Sequence, residues 1–131
     1  MPTFHDPVAD AEEAYEALRA LAHQTAVMED PRQIYQLLGS LSAAVAALGQ
    51  TLHQIARTHD VPDHDRLHGR SQVGVRHEVS WELHRAGEIM SHVAGCIDRA
   101  HEAESQIIYK PPTPAVPSSP TEEASRPGFG L

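Results

Sequence analysis

The sequence predicts an all-α fold: an up-down-up three-helix bundle built on a long hairpin of helices 2 and 3 and completed by self-association. Three observations predict it. The run from Gln33 to Ala56 contains no Asp, Glu, Lys or Arg. Through that run and just beyond it, Ile34, Leu38, Leu41, Val45, Leu48, Leu52, Ile55 and His59 recur at alternating steps of four and three. That heptad seam places one line of side chains down one face of a helix packed on other helices, in the manner of a coiled coil. Finally, Asp6-Pro7 and Asp30-Pro31 repeat one start signal. In each, a carboxylate accepts from the orphan amides of a first turn, and a proline occupies the position where its missing N–H costs nothing.

Helix 1 is expected over 7–27, after an N-terminal arm of residues 1–6. Its apolar line is Val8, Ala11, Tyr15, Leu18, Ala22 and Thr25, widened by Ala14, Leu21 and Met28, with Asp10, Glu12, Glu13 and Glu16 on the outer face. Helix 2 is expected over 31–59, its start strengthened by Gln33 in a capping-box position after Asp30. Asp60-Val61-Pro62-Asp63 ends it, and the polar stretch to Gly69 reads as a connection. Helix 3 is expected from about Ser71 to Val75 up to Tyr109, with the seam Val79, Leu83, Ala86, Met90, Val93, Ile97, Ala100 and Ile107. Lys110-Pro111-Pro112 stops it, because proline cannot donate and clashes with the preceding turn. Residues 110–131 hold six of the ten prolines and read as a flexible, partly polyproline-II tail, too poor in apolar area to offset its ordering entropy. At about 1.5 Å per residue helix 1 is much shorter than the other two. Leu52, Ile55, Val75 and Val79 should therefore be left partly bare at the far end of the hairpin, unless Phe4 or another chain covers them.

Composition narrows the function. Across 131 residues there are ten Lys plus Arg against 18 Asp plus Glu, a net charge of −8 that works against long-range attraction to nucleic acid or anionic lipid. Cys96 is the only cysteine, which removes any intrachain disulfide and points to a reducing, cytoplasmic setting. The N-terminus lacks the basic start and apolar run of a secretory signal. The uncharged run of helix 2 is flanked by Gln33, Gln36, Gln50, His53 and Gln54 and is too polar for a membrane span. No phosphate loop, nucleophile elbow or Cys/His pair stands in the chain, so an enzyme is not expected and no cofactor is implied.

Four groups of residues are candidates for contact. Gly39, Ala43, Ala46, Ala47 and Gln50 are small or uncharged opposite the helix 2 seam, which suggests an oligomer interface, since a helix without charge all round is usually buried all round. Trp81, off the helix 3 seam with His77, His84 and Arg85 around it, suggests an anchor for a protein partner. His59, Asp63, His64 and His68 are metal-ligand types in unspecific spacing, without an H-E-x-x-H or paired Glu-x-x-His. Arg57, Arg66, Arg70 and Arg76 lie near the same end and offer a nucleic-acid alternative, cancelled locally by neighbouring carboxylates.

The run Asp6-Pro7-Val8-Ala9-Asp10-Ala11-Glu12-Glu13-Ala14, with Glu29-Asp30-Pro31 and Tyr35-Gln36-Leu37-Leu38-Gly39-Ser40-Leu41, resembles a group of small uncharacterised bacterial helical proteins often encoded beside plasmid or integrative-element transfer genes. The resemblance covers about residues 6–109. It implies no activity and no site residues, but supports an accessory role in transfer or DNA handling as the alternative. The leading expectation is a non-catalytic helical scaffold that self-associates, as a homodimer or higher, and binds a protein partner.

Overall fold

The computed structural model describes residues 5–60 and 73–110. It is all-α: helix α1 (Pro7–Thr25), a 3₁₀ turn (Pro31–Gln33), α2 (Ile34–Asp60) and α3 (Val73–Glu104), with no strand among the described residues. Helices α2 and α3 pack closely as a long antiparallel hairpin. Residues 1–4 with Phe4, the connection 61–72 and the tail 111–131 lie outside the described residues.

Both predicted start signals operate. The Asp6 carboxylate accepts from the Val8 amide at 3.0 Å, with Pro7 in the first turn. The Asp30 carboxylate accepts from the Arg32 amide at 3.0 Å, and the Arg32 guanidinium closes back on it through Nε at 2.9 Å and a second nitrogen at 3.2 Å. The side-chain partner of this cap is thus Arg32 rather than the expected Gln33. Arg32 holds the Asp30 carboxyl below its ordinary pKa, and both groups stay charged.

Two helices end earlier than expected. α1 stops at Thr25, two residues before Val27, where the Thr25 hydroxyl donates to the Leu21 and Ala22 carbonyls and satisfies backbone groups at the helix end. α3 stops at Glu104 rather than Tyr109. The amides of Gln106 and Ile107 turn to three-residue bonds with Ala103 and Glu104, the Ser105 hydroxyl takes the Glu102 carbonyl, and the β-branched pair Ile107-Ile108 follows.

The line of closest packing differs from the expected seam. On α2 the buried residues are Ser42, Gly49 and Ala56, and on α3 they include Ser80, Gly87 and Ala94. Each set repeats every seven residues, one position beyond Leu41, Leu48 and Ile55 on α2. In antiparallel register Ser42 faces Ala94, Gly49 faces Gly87 and Ala56 faces Ser80. A Cβ added at Gly49 would stand 3.2 Å from the Met90 Cβ and 3.3 Å from the Gly87 carbonyl oxygen, so the helices meet almost backbone to backbone. The apolar heptad lies beside this seam: Leu38, Val45, Leu52, Leu83, Met90 and Ile97 are half-buried, while Leu48 and Ile55 remain 45% exposed. Among the described residues no large side chain is fully buried. Ile55, Val75 and Val79 are bare, as helix lengths led us to expect, and Leu52 is half-buried.

α1 contributes no buried residue. Its last turn approaches the start of α2, where Leu21, Gln24, Thr25 and Met28 line a groove with Gln33, Gln36, Leu37 and Ser40. From Val8 to Leu18 its apolar line is open to solvent.

Candidate interaction site

The antiparallel register of α2 and α3 brings polar side chains together along one flank of the hairpin. The Ser42 hydroxyl donates to the Asp98 carboxylate. Tyr35 stacks on His101 with ring centroids 4.1 Å apart, and the same imidazole covers Gly39 at 3.2 Å from where a Cβ would stand. Toward the connection, the Ser80 hydroxyl donates to Asp60 Oδ1 and His84 Nε2 lies 3.0 Å from Asp60 Oδ2. His53 and His84 meet through their Nδ1 atoms at 2.8 Å. Last, Arg76 donates to the His59 carbonyl at 2.8 Å, holding the final turn of α2 against the start of α3.

The chemistry of the Asp60 group follows from counting donors. A carboxylate only accepts, so the neutral His84 that bonds it carries its proton on Nε2 and presents a bare Nδ1. His53 then donates from its own Nδ1–H. The Ser80 hydroxyl, and after it His84, hold the Asp60 carboxyl below its ordinary value of 3.8. Gly87 makes room for this arrangement, since a Cβ there would lie 2.6–2.8 Å from the His53 ring.

Beside this network, α3 brings the four predicted partner-binding residues onto one surface. Trp81 is 61% exposed, the Arg85 guanidinium lies over its ring at 5.5 Å from the centroid, and His77, His84, Ser80 and Glu88 line the same shallow hollow. A large flat ring with a cation on one face and imidazoles at its edge is suited to gripping another protein surface.

The predicted oligomer set is divided. Ala43, Ala46, Ala47 and Gln50 are exposed along α2, whereas Gly39 sits under His101 and belongs to the hairpin contact. The nucleic-acid set loses Arg76, which is only 7% exposed and is held in the hairpin, where it cannot reach phosphate. Arg57 is exposed, and Arg66 and Arg70 lie outside the described residues. Of the metal candidates, His59 is half-buried, and Asp63, His64 and His68 lie outside the described residues. Among the described residues no group of three or more His, Cys, Asp or Glu is placed to hold a metal ion. Nor is any described helix long and apolar enough to cross a membrane.

Sequence reasoning missed His53, Ser80, Asp98, Tyr35 and His101 as members of the hairpin contact. Their signal was available: two further sets of small residues at seven-residue intervals, flanked by polar groups, on two helices of opposite direction. No family model, no curated protein and no solved structure matches the chain.

Proposed function

We propose that this chain is a non-catalytic helical interaction module that self-associates through its bare apolar faces and offers the Trp81 surface to a protein partner. One observation carries the reading. Val8, Tyr15 and Leu18 on α1, Leu48 and Ile55 on α2, and Val75 and Val79 on α3 are all exposed in a single copy, at helical spacings of three, four and seven residues that put each set on one face. Lines of that kind mark surfaces that meet other protein. Cytoplasmic residence belongs to the same reading, because the lone thiol of Cys96 is exposed and suits a reducing compartment.

The alternative reading, an accessory protein touching DNA through the hairpin end, is the weaker one, since Arg76 is committed within the fold and the net charge is −8. Sedimentation equilibrium of the full chain over a wide concentration range tests the proposal. A mass of two chains or more is expected, and a single-chain mass at every concentration would sink it. For the partner surface, Trp81→Ala should abolish capture of whatever binds the parent chain while leaving that mass unchanged.

A further inference from the structure

Resting on that reading, we propose that α1 is an exchanged arm: the α1 of one copy lies along the leucine side of the hairpin of a second copy, and the exchange is reciprocal. The starting point is α1 itself. It is a 19-residue helix with no buried residue, and in proteins most helical stability comes from packing an amphipathic face rather than from propensity. Its face is well formed, with Val8, Ala11, Tyr15, Leu18 and Ala22 on one side, Asp10, Glu13 and Glu16 turned away from it and Glu12 at its edge.

The hairpin carries the complement. Taking the Ser42/Gly49/Ala56 and Ser80/Gly87/Ala94 lines as the contact, the 100° step of a helix turns Leu41, Leu48 and Ile55 of α2 and Val79, Ala86 and Val93 of α3 toward the same side. In an antiparallel pair these two rows form the walls of one apolar groove. α2 is about 40 Å long and α1 about 28 Å, so the groove holds the whole of α1. Its α2 wall is uncharged from Gln33 to Ala56. Asp10, Glu13 and Glu16 lie away from the docking face and Glu12 stands at its rim, so docking places no charge at its centre.

The occupant is a second copy because the corner between α1 and α2 directs α1 away from its own groove. Pro31 and the two-pronged Asp30–Arg32 pair hold the entry to α2. The last turn of α1 already rests near Gln36, Leu37 and Ser40, and beyond it Leu18, Tyr15 and Val8 stand progressively more exposed, at 50, 63 and 69%. In a closed two-fold pair each copy gives one stripe and receives one.

The test uses full chains in a Cys96→Ser background. One chain carries Leu18→Cys, a second, mass-tagged chain carries Leu48→Cys, and the two are mixed, equilibrated and treated with a short bismaleimide. Both positions lie near the middle of their faces, so the result does not depend on the direction of the docked arm. Tyr15→Cys in place of Leu18→Cys guards against a register effect or a failure to fold. The expected result is a Leu18–Leu48 link between two chains of a species with the mass of a dimer, and none from Ala20→Cys on the opposite face of α1. A dimer mass without that link overturns the exchange but leaves self-association standing. A single-chain mass overturns both. A chain bearing both cysteines that links to itself as a monomer shows α1 closing on its own hairpin, and also overturns the exchange.

Discussion

The two sides of the α2–α3 hairpin are built on opposite principles. Along the seam and the flank beside it, Ser42, Gly49, Ala56, Ser80, Gly87 and Ala94 let the backbones approach, and polar pairs such as Ser42–Asp98 and His53–His84 set the register. On the other side stand the leucines and valines that a hydrophobic reading assigns to the core, and Leu48, Ile55 and Val79 are bare. Covering a half-exposed leucine is worth about 1 kcal/mol. The unrealised stabilisation of the chain therefore lies on the leucine side, whereas its specificity lies in the seam. Close approach requires small residues, because interhelical distance depends on the side chains at the contact.

The seam breaks most easily at Gly49. Gly49→Ile would drive four extra carbons into the Met90 Cβ and the Gly87 carbonyl, and the latter is backbone that cannot swing aside. A loss of about 3 kcal/mol is expected, toward the upper end for overpacking, read as a lower urea midpoint. Gly87→Ala sharpens the point. Its Cβ meets only the His53 ring, a side chain free to rotate, and alanine recovers up to about 1 kcal/mol of helix propensity. It should cost less than Gly49→Ala, and its signature should be loss of the His53–His84 contact in imidazole nitrogen spectra.

Acid should loosen the polar flank at Asp60. Its carboxyl is held below 3.8 by the Ser80 hydroxyl and by His84, so the stability it contributes is present above the ordinary carboxylate value and is lost as pH falls through its lowered value. The urea midpoint should therefore decline below about pH 4. In Asp60→Asn it should start lower and lose most of that decline. An unchanged slope would show that the carboxylate has no part in holding α3.

The contrast also explains what was legible beforehand. Three helices, their starts at Asp6-Pro7 and Asp30-Pro31 and the long hairpin were readable because capping and breaking are local chemistry. The grouping of His77, Trp81, His84 and Arg85 was readable because one helix carries all four. The seam was not. Periodicity locates apolar residues, and the heptad in α2 straddles the edge of the contact: Leu38, Val45 and Leu52 are half-buried while Leu48 and Ile55 are left exposed, and the closest approach falls on Ser42, Gly49 and Ala56. Nor did spacing within either helix announce that Asp60 would reach Ser80 and His84, since that depends on the antiparallel register. Arg76 looked like a free cation only because its partner, the His59 carbonyl, is a backbone group that no motif displays.

The smallest effect on the hairpin is expected from polar replacement on the leucine side, and it separates the two sides most cleanly. Leu48→Gln and Ile55→Gln alter half-exposed positions on the leucine side of the hairpin. At dilutions where copies are apart, each should change unfolding by no more than about 0.5 kcal/mol, the usual range for surface sites. Their effect belongs to assembly. At high concentration the double variant should sediment as a single chain where the parent does not, because burying two amides without partners costs more than the association gains. If the double variant instead unfolds far more readily at high dilution while keeping the parent's mass, the leucine side is an internal core and the division of the hairpin into a specifying side and an assembling side is wrong.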